Sequence, residues 1–178
     1  MDALRHVFPY RTAQRMRGGM AEALARRAVE TGATRHPELV ALSLAAGLLH
    51  DIAKSYTVQF GGSHAQIGAS WVVDSTGNHK VAQAVYHHVE WPWPLPEHLV
   101  HPVFSSFMRT SGPATTKWYR STSAMKICLS AMEKANTPAP PSIAGWEHSK
   151  TIERVLSAQL EFPLHESTVV GGRLVSRA

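Results

Sequence analysis

The sequence is poor in features that would place the protein outside the cell or in a membrane. It has a single cysteine, Cys128, which excludes a disulfide within the chain and fits a reducing compartment. No run approaches the ~18 apolar residues of a membrane span, and the segment from Met1 to His6 lacks the apolar stretch of a secretory signal. We therefore expect a cytoplasmic protein with no membrane partner.

Runs of like charge are also missing. The net charge is +5, with eleven histidines, but the basic residues are scattered along the chain. We therefore expect a solvated basic surface that can attract small phosphorylated molecules, and no nucleic-acid partner. With 44% hydrophobic and 17% charged residues, the 178-residue chain can bury a core, and its length suits one domain with an extension.

Apolar residues recur at helical spacing, which predicts an all-α fold. Pro9 predicts an irregular segment over residues 1 to 11, and Gly61-Gly62 predicts a loop from Tyr56 to Gly62. Ser63 is a predicted helix cap. The predicted helices run from Thr12 to Gly32, Pro37 to Lys54, Ser63 to Gly77, His79 to Val89, Glu97 to Met108, Thr115 to Lys134 and Trp146 to Leu160.

An adjacent pair, His50-Asp51, closes the aliphatic run from Leu39 to Leu49 and is therefore expected at the buried end of a helix. A divalent metal favours an imidazole combined with a carboxylate, and the carboxylate can bridge two metals. Lys54 follows one turn after His50, where its ammonium could lie beside an anionic substrate. The alternative is structural, with a capping aspartate next to a core histidine.

Three further histidines accompany the pair. His64 follows the predicted cap and shares a helix face with Gly68, where the missing side chain leaves room for a metal. On the fourth predicted helix, His88 falls on the apolar stripe and His87 flanks it. A histidine on an apolar stripe is usually a core residue. Two consecutive histidines that follow His50-Asp51 and His64 in the sequence favour a metal site.

Together, the sequences Leu-Leu-His-Asp-Ile-Ala-Lys, His-x-x-x-Gly-Ala and His-His resemble the HD superfamily of metal-dependent phosphohydrolases, over the stretch from Thr12 to Asn136. The resemblance implies a core of five to six helices with a C-terminal extension, and a divalent ion such as Mn, Fe, Mg, Zn or Ni. It also implies that Asp51 and Lys54 are catalytic and that Lys54 contacts the substrate. The implied metal ligands are His50, Asp51, His64, His87 and His88.

Two positions depart from the family's pattern. The family's first helix carries a metal-binding histidine, and Met16 stands at that position, although a thioether is a poor ligand for these metals. The family's last metal-binding aspartate is missing, because no aspartate follows Asp74. Glu133 is expected to be a surface charge rather than its replacement. We therefore expect the loss of the metal anchored on His50, while a second one survives on the other ligands.

The segment from Glu90 to Pro96 holds Trp91 and Trp93, each followed by a proline, which predicts a rigid aromatic wall. The wall either packs over the core or stacks on a base, and in the second case Trp91 contacts the substrate. A proline-rich linker from Asn136 to Pro141 follows. We therefore predict an HD-type helical domain over residues 1 to 136 and a linker plus C-terminal extension over residues 137 to 178.

Two functions remain open at this point. The first is metal-dependent hydrolysis of a nucleotide or another small phosphorylated substrate. The second is a degenerate HD-type module that binds a metal, or serves in signalling or as a scaffold, without hydrolysis. The sequence names neither the substrate nor the metal, and it leaves open whether the chain forms a homo-oligomer.

Overall fold

The computed structural model of the protein describes residues 7–89 and 143–176. These two stretches are mostly helical, which confirms the all-α prediction. A 3-10 turn (Leu164–Glu166) and a two-stranded hairpin, which the sequence analysis did not predict, follow the last helix. The elements are α1 (Val7–Glu30), α2 (Leu39–Leu49), α3 (Lys54–Phe60), α4 (His64–Thr76), α5 (His79–His87), α6 (Ile143–Gln159), β1 (Ser167–Val170) and β2 (Arg173–Ser176).

The first helix begins earlier than the sequence predicts. Residues 7 to 11 are helical, so the prediction of an irregular lead was wrong for them. Pro9 is the third residue of α1, where a backbone N–H has no partner inside the helix, so the proline removes no helical hydrogen bond. The helix ends at Glu30, and Gly32, with a φ of 76°, lies in the turn that follows.

Helices α1 and α2 cross at a pair of glycines. A Cβ atom on Gly47 would lie 2.8 Å from Cα of Gly18 and 3.0 Å from the carbonyl oxygen of Arg17. A Cβ atom on Gly18 would lie 2.9 Å from the side chain of Leu48. The close approach explains why α1 contains Gly18 despite a cost of about 1 kcal/mol in helix propensity. It also brings Arg17 beside the C-terminal end of α2.

The prediction that the second helix runs to Lys54 was wrong after Leu49, because residues 50 to 53 form a turn and Lys54 begins the separate helix α3. The prediction of a loop from Tyr56 to Gly62 was wrong up to Phe60, because the residues as far as Phe60 belong to α3. The rings of Tyr56 and Phe60, one helical turn apart, have centroids 4.8 Å from each other and stabilise this short helix. Gly61, with a φ of 80°, follows the last helical residue, as glycine often does.

Helices α4 and α5 form where the sequence predicts them. Ser63 accepts a hydrogen bond from the N–H of Gln66 at 3.4 Å and caps α4, while Asn78 accepts one from the N–H of Val81 at 3.1 Å and caps α5. Gly77, with a φ of 64°, ends α4. The two helices pack on α2 through a buried cluster that contains Ala46, Ala69, Val72, Val81, Ala82, Ala84 and Val85.

The C-terminal extension packs on α1. The helix predicted from Trp146 to Leu160 is confirmed as α6. The strands of the hairpin pair antiparallel, with Ser167 opposite Ser176, and β2 contacts α1. The division of the chain at residue 136 stays a prediction. The cluster that joins the extension to α1 consists of Met20, Leu24, Ala28, Ile152, Leu156, Leu160 and Leu164.

Several predictions fall on residues 90–142, outside the described residues. These are the helices from Glu97 to Met108 and from Thr115 to Lys134, together with the loop that carries Trp91. Within 7–89 and 143–176, no helix combines the length and the apolar character that crossing a membrane requires.

Candidate metal centre

The carboxylate of Asp51 is the centre of the site. It lies in the turn after α2 and is only 4% exposed, next to His50, which is 1% exposed. The prediction that the pair sits at the buried end of a helix is therefore confirmed. A buried carboxylate must be paired with cations or coordinate a metal. The two oxygens of Asp51 face different groups.

The first oxygen, Oδ1, faces two imidazoles. It lies 3.3 Å from Nε2 of His64 and 3.4 Å from Nε2 of His88. The two ring nitrogens are 3.1 Å apart. His64 comes from the first turn of α4, directly after the Ser63 cap, and His88 follows the last residue of α5. These three atoms form a ligand triangle whose members come from separate parts of the fold.

Close packing around Gly68 fixes the position of α4. A Cβ atom on Gly68 would lie 3.2 Å from Cγ2 of Ile52 and 3.3 Å from Cγ1 of Val85. From the sequence we expected the missing side chain of this glycine to leave room for a metal, and that expectation was wrong, because apolar side chains fill the space. Gly68 instead lets α4 approach the turn after α2, which brings His64 to Asp51.

Two buried histidines are oriented in the same way. Nδ1 of His50 lies 2.8 Å from the carbonyl oxygen of Gly47, and Nδ1 of His88 lies 2.6 Å from that of Val85. A carbonyl oxygen only accepts hydrogen bonds, so Nδ1 carries the proton in both rings and Nε2 presents a lone pair. Both Nε2 atoms face Asp51. Metal-binding histidines are typically held by such a bond from the other ring nitrogen.

The second oxygen, Oδ2, faces cationic side chains. Nη1 of Arg17 and Nζ of Lys54 each donate to it at 3.2 Å. The same Nη1 also donates to Nε2 of His50, which lies 3.3 Å from Oδ2. The side chain of Arg17 is 15% exposed and that of Lys54 is 39% exposed. The guanidinium is therefore inside the site, and the ammonium is at its rim.

The protonation states suit a metal centre. Burial raises the pKa of Asp51, but hydrogen bonding within the site lowers it by more, so the pKa lies well below its ordinary value. Burial lowers the pKa of His50 by more than the neighbouring Asp51 raises it. The pair therefore consists of a neutral imidazole and an ionised carboxylate, which are the forms that bind metals.

The ligand triangle has the dimensions of a metal site. With metal–ligand distances of about 2.0–2.2 Å, two ligands are about 2.8–3.6 Å apart for bond angles between a right angle and the tetrahedral angle. The three edges of the triangle, at 3.1, 3.3 and 3.4 Å, fall within that interval. Two imidazole nitrogens and one carboxylate oxygen suit Mn, Fe, Ni and Zn, and this donor set does not select among them.

The remaining predicted site residues lie elsewhere. The ring of His87 is half buried and packs on that of Tyr86, with centroids 4.8 Å apart, and it is not a member of the ligand triangle. Its role as a ligand stays a prediction. Trp91, the predicted substrate contact, and Glu133 lie outside the described residues.

Arg17 is a site residue that the sequence analysis did not identify. The family's pattern directs attention to Met16, one residue earlier, whose side chain is half buried. Successive residues on a helix are separated by about 100°, so the two side chains face different directions. The available signal was the glycines: Gly18 and Gly47 mark a close helix crossing, which brings the neighbour of Gly18 next to Asp51.

A family model described as HD domain matches residues 18–132, more than half of the chain. The chain belongs to the HD-domain family. The match includes the ligand triangle and Lys54, and it begins directly after Arg17. HD domains form a superfamily of the metal-dependent phosphohydrolase type. A search of curated proteins and a search of solved structures found no match.

Proposed function

We propose that this HD domain is a metal-dependent phosphohydrolase that acts on a small phosphorylated substrate, such as a nucleotide. The ligand triangle of Asp51, His64 and His88, with edges of 3.1–3.4 Å, is the observation that supports the proposal. A divalent ion held by these residues would polarise a phosphoryl oxygen and lower the pKa of a water molecule.

The three ligands differ in how firmly the protein holds them before an ion binds. Asp51 and His88 are buried and held by hydrogen bonds, so they lose little freedom when an ion binds. The side chain of His64 is 26% exposed and its Nε2 donates to His88. Solvent can move its proton to Nδ1, which frees Nε2 as a ligand. We therefore assign ion capture to the buried pair and closure of the site to His64.

Lys54 is well placed to contact an anionic substrate. Its ammonium donates to Oδ2 of Asp51 at 3.2 Å, while more than a third of the side chain is exposed. The side chain of Lys54 thus lies between the buried carboxylate and solvent. A phosphate at the ligand triangle would lie near the positive charges of Lys54 and Arg17, which attract it and offset charge on the leaving group.

Other features of the proposal rest on the sequence. Stacking of a base on Trp91 would explain a preference for nucleotides. A cytoplasmic location follows from the cysteine content, and the scattered basic residues speak against nucleic acid as a partner. Homo-oligomer formation stays open.

A metal-binding or scaffold module without hydrolysis is the second candidate. Arg17 favours it, because a guanidinium takes up one side of the carboxylate that a bridging metal would otherwise use. Met16 favours it too, since its thioether does not replace the family's histidine. Under this interpretation the ion has a structural role.

Metal content and turnover, measured on one preparation, separate the two candidates. We expect the wild type to hold a single divalent ion and to hydrolyse nucleotides or a model phosphodiester. The combined change His64→Ala and His88→Ala should abolish both properties, whereas His36→Ala, at an exposed histidine paired with Glu38, should abolish neither. Metal without turnover across a substrate panel would favour the module. Unchanged hydrolysis in the double variant would contradict the proposal.

A further inference from the structure

We propose that Arg17 takes the place of a second metal ion and limits this centre to a single one. The inference rests on the proposed metal site but not on hydrolysis. The guanidinium holds His50 and Oδ2 of Asp51 from one side, so only the Oδ1 side remains for an ion. Arg17 is in this sense a positioning residue that sets the metal stoichiometry.

The contacts of Arg17 resemble those of a bridging cation. Its Nη1 atom donates both to Nε2 of His50 and to Oδ2 of Asp51, which are 3.3 Å apart. That separation lies in the same range as the edges of the ligand triangle. A single guanidinium nitrogen thus joins an imidazole and a carboxylate oxygen that a metal would otherwise join.

Because of its hydrogen bonding, His50 cannot contact the guanidinium of Arg17 and a metal ion at the same time. Its Nδ1 donates to the carbonyl oxygen of Gly47, so the neutral ring has one lone pair left, on Nε2. That lone pair accepts the hydrogen bond from Arg17. A metal could bind Nε2 only after the guanidinium had left, because one lone pair cannot serve both.

The position of Arg17 is fixed by the packing of the helices. Its carbonyl oxygen lies 3.0 Å from the Cβ position of Gly47, at the point where α1 and α2 cross. Arginine stays protonated at any physiological pH, so it cannot be neutralised to make way for an ion. Separating the guanidinium from Asp51 would break a largely buried ion pair, which is unfavourable.

The two oxygens of Asp51 contact different groups, and this arrangement also determines the charge of the site. Lys54 and Arg17 both donate to Oδ2, while two imidazoles face Oδ1. The fixed cations already exceed the charge of the carboxylate, and a divalent ion at Oδ1 adds to that excess. A centre of this kind favours a substrate with several negative charges, such as a nucleotide phosphate.

Metal titration of four proteins tests the inference, with Co²⁺ followed by its absorption and by calorimetry. The wild type and His50→Gln should each bind a single ion, with affinities that agree to within about threefold. Arg17→Ala should bind two ions, and the double variant Arg17→Ala with His50→Gln should return to one. If Arg17→Ala does not fold, Arg17→Gln replaces it, since the amide lacks the charge.

Three results would overturn the inference: two ions in the wild type, loss of the ion in His50→Gln, or a single ion in Arg17→Ala. Arg26→Ala is the matched control on the same helix, because its guanidinium pairs with Glu22 at 2.8 Å on the surface. This control should keep the wild-type stoichiometry. A wild type that binds one ion but hydrolyses nothing would contradict the proposed function and leave the role of Arg17 intact. A wild type without any ion would contradict both.

Discussion

Nε2 of His88 lies 3.1 Å from Nε2 of His64, although 24 residues separate them in the sequence. Because Nδ1 of His88 donates to the carbonyl oxygen of Val85, the proton between the two rings belongs to His64. A divalent ion between the rings would take the place of this proton. The hydrogen bond therefore keeps the two nitrogens at ligand spacing in the metal-free protein.

The first prediction concerns the carboxylate at the centre. Asp51→Asn keeps the size of the side chain but removes the charge that Arg17 and Lys54 contact. Breaking a buried ion pair on one side costs on the order of 3 kcal/mol, so the metal-free variant should be less stable than the metal-free wild type by that amount in urea unfolding. It should also lose its metal.

Asp74→Asn is the control for this change, since Asp74 is exposed on α4 and its substitution should alter neither property. Full metal content together with unchanged stability in Asp51→Asn would remove Asp51 from the site. The loss of stability is expected even without a metal, because Arg17 and Lys54 pair with the carboxylate in the metal-free protein.

The second prediction separates substrate binding from metal binding at Lys54. Lys54→Met keeps the aliphatic stem and removes the ammonium at the rim. We expect kcat/KM for a nucleotide to fall about tenfold or more, which corresponds to roughly 1.4 kcal/mol of transition-state stabilisation, while the metal content stays unchanged. Lys80→Met, at an exposed position on α5, is the control. An unchanged kcat/KM in Lys54→Met would exclude the proposed role.

The third prediction tests whether a base stacks on Trp91. Stacking on an aromatic side chain contributes about 1–3 kcal/mol per base, so Trp91→Ala should raise KM for a nucleotide by about tenfold. KM for ribose 5-phosphate, which has no base, should stay the same. An equal rise for both substrates would show that Trp91 supports the structure of the site and does not recognise a base.

The features that the sequence predicted well depend on nearby residues. Ser63 and Gly77 bound α4 because a cap and a left-handed residue are local requirements. The buried position of His88 follows from the spacing of Val81, Ala84 and Val85 along one helix. His50-Asp51 is buried at a helix end because a continuous aliphatic run precedes it. None of these inferences needs to know how the helices pack together.

The features that were missed depend on contacts between distant segments. Arg17 reaches Asp51 only because α1 crosses α2 at Gly18, and a single sequence does not show which helices cross. The space beside Gly68 holds Ile52 and Val85 for the same reason. The short helix α3 packs on α4 through Tyr56 and Trp71, whose ring centroids lie 5.5 Å apart, and this contact also joins segments that are separate in the sequence.

The last prediction concerns the helix crossing that positions Arg17. In Gly47→Ala the new methyl group would lie 2.8 Å from Cα of Gly18, and a backbone atom cannot turn aside. We expect a loss of about 1–3 kcal/mol in the free energy of unfolding, as for other overpacked cores. Because α1 must move to relieve the clash, the bond between Arg17 and Asp51 should weaken as well.

Gly19→Ala provides a matched control one residue from the crossing, since no heavy atom lies within 4 Å of the position its Cβ would occupy. That substitution should stabilise the protein by about 0.5–1 kcal/mol, because alanine loses less backbone entropy than glycine in a helix. Urea unfolding of both variants, each with a metal titration, checks the pair. Stabilisation by Gly47→Ala would show that α1 and α2 do not approach as closely as this structure requires. The site would then lack the contact that holds Arg17 against Asp51.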